Sequence, residues 1–171
     1  MDAIKLRRSI RKFDLTKKIP YDTLVELCRY AAYAPTARRQ IDKEYVIIDS
    51  QEVINEMAKL PHGSLKYEDC NTYIALIAKN PKDLTIPGME PIDLGMAAEN
   101  ILIKATELNL GSCYLGVYPS EERMEAFNKL LNVTGGNFVF GVIALGYPLD
   151  EFKEWDKLDM ATIHHNTYKE N

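Results

Sequence analysis

The sequence predicts a single α/β domain, because short strand-type runs alternate with helix-type segments along the chain. The chain has 171 residues, 46% hydrophobic and 27% charged, which is enough for one domain with a sizeable core. Nine glycines and eight prolines are too few for a collagen-like or low-complexity chain. No internal repeat or linker is visible, so we expect one domain over residues 1–171. From the alternation alone, a parallel sheet is the default.

The first half of the chain contains two predicted helices and two predicted strands. Apolar residues recur at helical spacing over residues 22–33, and Pro35 stops that helix. A β-branched run over residues 44–49 indicates a strand. A short helix over residues 51–60 and a second strand over residues 72–79 follow.

The strongest predicted helix covers residues 93–109. Asp93 is its expected N-cap, and Gly111 lies just beyond its C-terminal end. Apolar residues cover almost every face of this helix, so we expect it to be central or at a subunit interface. The preceding residues 84–91 contain two prolines and a glycine and are predicted to be a loop.

The last elements are shorter, and a polar tail without clear periodicity follows them from Asp150 onward. They are predicted as a strand at residues 112–118, a helix at 120–131 capped by Ser120, a turn at 134–137 and a fourth strand at 138–145.

Composition excludes several classes of function. The net charge of -4 argues against a globally basic nucleic-acid binder. Three cysteines without a CxxC pair argue against a disulfide framework and favour lone thiols in a reducing cytoplasm. The charged first residues do not resemble a secretory signal, and no apolar run approaches the ~20 residues that cross a membrane. The three histidines form no metal-binding motif, and no phosphate-binding glycine motif is present. We therefore expect a cytoplasmic protein without metal.

The basic residues are concentrated at the start of the chain. Residues 1–18 hold seven basic and two acidic side chains, a local charge of +5 on an otherwise acidic protein. This pattern suggests a local anion site, although a solvated basic tail would have the same composition. Within it, Arg7, Ser9 and Arg11 share one side of an extended chain, and the two arginines also align at i, i+4 in a helix. Both geometries allow two guanidiniums to clamp one phosphate, while a kinase target or a solvated turn would share the motif.

A family resemblance strengthens the anion-site interpretation. The opening RRSIRKF resembles the first motif of the FMN-dependent nitroreductase family. Further stretches are similar to that family in the same order along nearly the whole chain. They are Ile19-Pro20, AAYAPTA at 31–37, YVII at 45–48, DLGMAAENIL at 93–102, LGSCYLGVYP at 110–119, ALGYP at 144–148 and IHH at 163–165.

The resemblance implies an α+β fold with a mixed, mostly antiparallel central sheet flanked by helices, in place of the parallel default. It also implies an intertwined homodimer with FMN at the subunit interface, and NADH or NADPH as co-substrate. Carried over by position, the phosphate, ribityl and pyrimidine edge of FMN would be held by Arg7, Arg8, Ser9 and Arg11. The partner subunit would contribute Pro35, Thr36 and Ala37. The other side of the ring would be lined by Tyr114, Leu115 and Gly116, and Lys157 would contact the phosphate.

One stretch departs from the family pattern. After the APTA turn the family usually shows NxQPW, but here Arg39 takes the Asn position, Ile41 the Gln position and Lys43 the Trp position. An amide donates and accepts hydrogen bonds, whereas arginine only donates. Arg39 can therefore pair with flavin carbonyl oxygens, attract an anionic substrate or face solvent.

The leading hypothesis is an oxidoreductase in which NAD(P)H reduces bound FMN, which then reduces a small acceptor such as a nitroaromatic or a quinone. Hydride transfer needs no acid or base from the protein at its core, so no catalytic side chain is assigned. A flavin- or nucleotide-binding module without turnover is the alternative, and a flavin-free dimeric structural protein is a third.

Overall fold

The computed structural model describes residues 2–169. The outer ends of the predicted domain, Met1, Glu170 and Asn171, lie outside the described residues, and the single domain over residues 1–171 stays a prediction. The helices are α1 Ala3–Leu6, α2 Tyr21–Ala32, α3 Gln51–Met57, α4 Glu90–Glu107 and α5 Glu121–Leu130. The strands are β1 Lys43–Ile48, β2 Tyr73–Ala78, β3 Gly111–Gly116 and β4 Phe138–Gly146.

The four strands form one sheet in the order β1-β2-β4-β3, and every ladder is antiparallel. β2 and β4 are central because their residues are apolar on both faces, and every residue of both strands is buried. The parallel sheet suggested by the alternation is therefore wrong, and the α+β sheet implied by the resemblance is confirmed. An isolated parallel bridge between Ser9 and Ser112 lies at the β3 edge.

Two hydrophobic cores lie on opposite faces of this sheet. The first packs α2 and α4 against one face, with Leu27, Leu94 and Ile143 fully buried. The second packs α3 and α5 against the other face, with Tyr73 and Phe127 fully buried. Because side chains alternate along a strand, neighbouring residues of β2 and β4 supply both cores.

α4 begins three residues earlier than the sequence indicates. Pro91 lies in its first turn, where a missing N–H costs nothing, so Glu90 and Pro91 are helical rather than part of the predicted loop. Asp93 is consequently not the N-cap; it is buried inside the first turn and accepts hydrogen bonds from another segment. The predicted cap of α5 is confirmed, since the Ser120 hydroxyl accepts from the Arg123 N–H at 3.4 Å.

Within the single chain, α4 is not buried on all sides. Leu94, Ala97 and Ile101 face the core, whereas Ile92, Gly95 and Glu99 remain exposed on the outer side. Among residues 2–169, no helix combines the length and the apolar character needed to cross a membrane.

Candidate functional site

Residues 7–13, here called the arginine segment, lie against the β3 edge of the sheet. The Ile10 N–H donates to the Ser112 carbonyl at 2.9 Å. Gly111 and Gly146 are direct partners in the β3–β4 ladder, and both leave room for the segment. A Cβ on Gly111 would lie 2.8 Å from the Ile10 side chain, and one on Gly146 would lie 2.8 Å from the Phe13 ring. The paired glycines thus form a notch that holds Ile10 and Phe13.

Two of the arginines contact different parts of the protein. Nε of Arg7 lies 3.1 Å from Oε1 of Glu99 on α4. Nε of Arg11 donates to the Ser64 hydroxyl at 2.9 Å. The segment is extended beyond α1, as one of the two sequence geometries requires, and Arg7 and Arg11 bind separate partners.

Arg8 has an unused donor. Its Nη1 donates to the Arg7 carbonyl at 2.6 Å, but Nη2 is buried and has no hydrogen-bond partner within residues 2–169. The hydroxyl of Ser112, next to Ser9 in the parallel bridge, is likewise buried and without a partner in that range. Arg8 also lines a cavity of about 410 Å³. Its other lining residues include Lys5, the tail residue Trp155, and the two acidic neighbours of Trp155, Glu154 and Asp156. A buried donor without an acceptor is costly, so both atoms call for an oxygen-rich ligand.

Tyr114 and Gly116 face the α4 side of β3. The Tyr114 ring lies across Gly141, where any side chain would collide with it, and borders a small groove beside α4. Burial raises the pKa of Tyr114 to about 12, so its hydroxyl stays protonated near neutral pH. The Gly116 carbonyl accepts from Arg123 at 3.0 Å. Leu115 points the other way, into the core beneath α3 and α5, so its side chain does not reach this groove.

The turn formed by residues 35–40 is held to the start of α4 by hydrogen bonds. Oδ2 of Asp93 accepts from the Ala37 N–H at 2.9 Å and from the Gln40 amide at 3.2 Å. The Thr36 hydroxyl donates to the Gln40 carbonyl at 2.9 Å. The backbone of this turn is unusual. Two consecutive arginines, Arg38 and Arg39, have φ of 49° and 59°, in the left-handed region.

A second carboxylate lies beside Asp93. Asp42 is fully buried, and its Oδ1 lies 2.8 Å from Nζ of Lys43, whose side chain is also nearly buried. Burial raises the pKa of Asp42, the Lys43 ammonium opposes that rise, and the neighbouring Asp93 carboxylate adds to it. The contact between the turn and the start of β1 therefore depends on the protonation of these two neighbouring carboxyl groups.

The same turn encloses a cavity of about 450 Å³, here called the turn cavity. Its walls are the turn, the end of α2 and the first residues of β1. Its lining includes Pro35, Arg39, Ile41, Lys43 and Tyr45.

Comparison with known proteins assigns the chain to a family. Residues 1–171 match the family model described as "Putative TM nitroreductase". The chain belongs to this nitroreductase family. It is 31% identical over 174 residues, 96% of this chain and 95% of the relative, to a "Putative NADH dehydrogenase/NAD(P)H nitroreductase" of Archaeoglobus fulgidus.

Solved structures of related proteins have the same fold. A "Putative NADH Oxidase" from Clostridium acetobutylicum superimposes with a TM-score of 0.91 at 33% identity, covering 98% of this chain and 100% of the other. An "FMN-dependent Nitroreductase" from Clostridium difficile R20291 has a TM-score of 0.87 at 25% identity, covering 98% and 99%. The family resemblance stated from the sequence is therefore confirmed.

In this nitroreductase-family chain, the three residues that depart from the NxQPW pattern come together. Arg39, Ile41 and Lys43 all line the turn cavity. Lys157 lies apart from them, with Nζ 4.4 Å from the centre of the Trp155 ring, in the geometry of a cation–π contact. Trp155 in turn borders the Arg8 cavity, but Lys157 is not among the residues that line it.

Several residues that position the candidate site were not predicted from the sequence. Glu99 and Ser64 bind the outer arginines, and Asp93 and Gln40 hold the turn. Asp93 carried a signal, an acidic residue at the start of a helix, but that signal was interpreted as a cap. The contacts of Glu99 and Ser64 join residues more than 50 positions from their arginines, and no local pattern indicates such pairs.

Proposed function

We propose that this protein is an FMN-dependent oxidoreductase that takes electrons from NADH or NADPH and delivers them to a small acceptor, such as a nitroaromatic or a quinone. Two kinds of support combine. The relatives' names describe NAD(P)H nitroreductase and FMN-dependent nitroreductase activities. The structural observation that carries the proposal is the buried Nη2 of Arg8, which has no acceptor within residues 2–169.

The residues present fit FMN. A phosphate is the natural acceptor for a buried guanidinium donor, and the unpartnered Ser112 hydroxyl suits a phosphate or ribityl oxygen. We assign Arg8, with Arg7, Ser9 and Arg11 around it, to the phosphate, ribityl and pyrimidine edge. Tyr114 and Gly116 flank the ring, and Lys157 adds positive charge near the phosphate. The Leu115 side chain points into the opposite core, so only the backbone of Leu115 is assigned to the ring.

When bound, FMN would supply reversible two-electron chemistry between the nicotinamide and a small acceptor. The protein's part is to orient the reactants, exclude water and supply electrostatics. A cation such as Arg11 near the pyrimidine edge favours the negative charge that develops there. No side chain is assigned as an acid or base, because hydride transfer does not require one.

We further propose that one FMN-binding domain spans the chain and works as a homodimer. The tail after β4 carries large apolar side chains that are more than half exposed in the single chain, as is Ile92 on the outer side of α4. These tail residues are Leu149, Trp155, Leu158, Met160, Ile163 and Tyr168. Such a large exposed apolar set is typical of a surface that another subunit covers. The Pro35–Ala37 turn would then contribute to the flavin site of the partner subunit.

The spectrum of the purified protein tests the cofactor. We expect a yellow protein, or a colourless one that takes up FMN with a 1:1 stoichiometry. Anaerobic addition of NADH or NADPH should then bleach the flavin absorbance. A protein that cannot be reconstituted with FMN contradicts the proposal. A protein that binds FMN but is bleached by neither nicotinamide is the binding module without turnover instead.

A variant pair tests the phosphate assignment. Arg8→Gln should weaken FMN binding at least tenfold, since a charge-assisted hydrogen bond contributes about 1.5–3 kcal/mol. Lys12→Gln is the matched control, because Lys12 is basic, exposed and in the same segment. Equal losses in both variants would show a general charge effect and remove Arg8 from its assigned role.

Sedimentation of the full-length protein tests the dimer. We expect a mass twice that of the 19.5-kDa chain at micromolar concentration. Replacing Trp155 and Ile163 by serine should shift the protein toward the monomer if the tail is covered by the partner subunit. A wild-type protein that sediments as a monomer contradicts this part of the proposal.

A further inference from the structure

The turn cavity has the size and lining of a small-molecule site. Its volume of about 450 Å³ lies within the range of ligand pockets in proteins. Pro35 and the side chain of Ile41, which is 77% exposed, supply apolar surface, and Tyr45 adds an aromatic ring. A flat aromatic molecule would be accommodated by such walls.

All charged residues that line the cavity are basic. Arg39 and Lys43 are basic, and no acidic residue is part of the lining. Lys43 is compensated by the buried Asp42 carboxylate at 2.8 Å. Arg39 makes no salt bridge or side-chain hydrogen bond with residues 2–169, so one positive charge is left for a ligand. A single free guanidinium favours a monoanion over a doubly charged ligand such as a phosphate ester.

The Tyr45 hydroxyl does not reach the surface of the cavity. It is buried, it belongs to a residue of the cavity wall, and it has no hydrogen-bond partner among residues 2–169. Burial raises its pKa, so the group stays an O–H donor at neutral pH. Since the hydroxyl has no accessible surface, a molecule in the cavity would contact the ring of Tyr45 rather than its oxygen.

The position of Arg39 is fixed by the protein. The Asp93 and Gln40 hydrogen bonds hold the turn, and Arg39 itself occupies a left-handed backbone conformation. An arginine whose backbone is fixed beside the cavity loses less conformational freedom on binding than one on a free loop. The turn also contains Pro35, Thr36 and Ala37, the proposed flavin contacts, so a molecule in the cavity would lie near the flavin.

We propose that the turn cavity is the electron-acceptor site and that Arg39 selects aromatic acceptors bearing a carboxylate. This inference rests on the proposed function. For a nitroaromatic acid the balanced two-electron step is ArNO2 + NADH + H⁺ → ArNO + NAD⁺ + H2O. The nicotinamide is oxidised, one N–O bond of the nitro group breaks, and the released oxygen leaves as water.

A charged and a neutral acceptor of equal shape test the selection. The probes are 4-nitrobenzoate and 4-nitrobenzamide, compared on the FMN-loaded protein with NADH or NADPH. We expect kcat/KM to be about tenfold higher for the benzoate, with most of the difference in KM. In Arg39→Gln this ratio should fall to about one, and raised salt should reduce it in the wild type.

The ratio separates Arg39 from its neighbour and from any effect on the flavin, which alters both acceptors alike. Arg38→Gln is the matched control, since Arg38 is exposed in the same turn but does not line the cavity, and it should keep the wild-type ratio. Tyr45→Phe, which removes only the buried hydroxyl, should also keep the wild-type ratio. A wild-type ratio near one, or a ratio that Arg39→Gln leaves unchanged, overturns the inference.

Direct binding distinguishes failure of this inference from failure of the proposed function. Calorimetric titration with benzoate, which cannot be reduced, should show binding to the wild type and at least tenfold weaker binding to Arg39→Gln. If FMN or NAD(P)H reactivity is missing, the proposed function fails, and benzoate binding that depends on Arg39 still supports the cavity assignment. If the flavin is active but benzoate does not bind, the inference alone is wrong.

Discussion

The arginine segment and the 35–40 turn both contribute to the proposed flavin site, but different forces hold them. Ile10 and Phe13 fit a notch made by Gly111 and Gly146, so shape fixes the arginine segment. The turn is fixed by Asp93, a buried carboxylate that accepts two hydrogen bonds. The arginine segment should therefore respond to changes of side-chain volume, and the turn to changes of charge and pH.

The largest expected effect is on the notch. Gly146→Val places a Cβ 2.8 Å from the Phe13 ring and should displace the arginine segment, lowering the free energy of unfolding by about 2–3 kcal/mol. Urea unfolding measures this, and FMN binding should weaken in parallel. Gly63→Ala is the control, because its nearest neighbour would be an ordinary contact at 3.8 Å. If Gly146→Val is as stable as Gly63→Ala, shape does not hold the segment.

The second largest loss of unfolding free energy is expected when the hydrogen-bond acceptor of the turn, Asp93, is removed. Asp93→Ala leaves the Ala37 N–H and the Gln40 amide without an acceptor and should cost about 1–3 kcal/mol of unfolding free energy. Asp93→Asn keeps one side-chain oxygen and should lose less. Hydrogen exchange at Ala37 should accelerate in Asp93→Ala while exchange at Ile10 stays slow; equal acceleration at both would show that the two regions are not independently held.

The pH dependence sharpens the same contrast. Since burial and Asp93 raise the pKa of Asp42 above 3.8, the folded protein keeps a proton that the unfolded chain has already released. The free energy of unfolding should therefore fall as pH rises from 3.8 to the raised pKa, and this contribution should level off above it. Asp93→Asn removes the neighbouring carboxylate and should make the fall smaller.

The surface carboxyl of Asp14 is a control, because its contribution to stability should change with pH in the opposite direction. The Thr16 hydroxyl, together with Lys17, lowers the pKa of Asp14, so its contribution to stability is present above pH 3.8 and is lost as pH falls below it. Asp14→Asn should remove that acid loss and leave the Asp42 dependence in place. An identical pH profile for the wild type and Asp93→Asn would show that the two buried carboxylates do not interact.

The smallest expected effect concerns the Arg7–Glu99 ion pair. Both side chains are accessible to solvent, so Glu99→Gln should change the free energy of unfolding by less than about 1 kcal/mol. Urea unfolding in low and high salt measures the difference. A loss comparable to that of Gly146→Val would mean that charge also holds the arginine segment and would weaken the contrast between the two regions.

Local patterns in the sequence predicted most elements to within a few residues. The helix 22–33 lies at Tyr21–Ala32, and the strand 72–79 at Tyr73–Ala78. The start of α4 was wrong because proline was interpreted as a loop former, although the first turn of a helix tolerates it. For the site, the basic motif identified Arg8, but nothing local indicated that Asp93 would hold the turn.

The sequence by itself determined the family, the two apolar strand runs at 72–79 and 138–145, and the concentration of basic residues at one end of the chain. These are local or compositional properties, which spacing and motif order reveal directly. Only the tertiary structure decided the strand order β1-β2-β4-β3, that one guanidinium nitrogen of Arg8 is buried without an acceptor, and that Arg39, Ile41 and Lys43 share one cavity. Those outcomes depend on contacts between residues far apart in the chain, where packing and burial, rather than local preference, set the partner of each polar group.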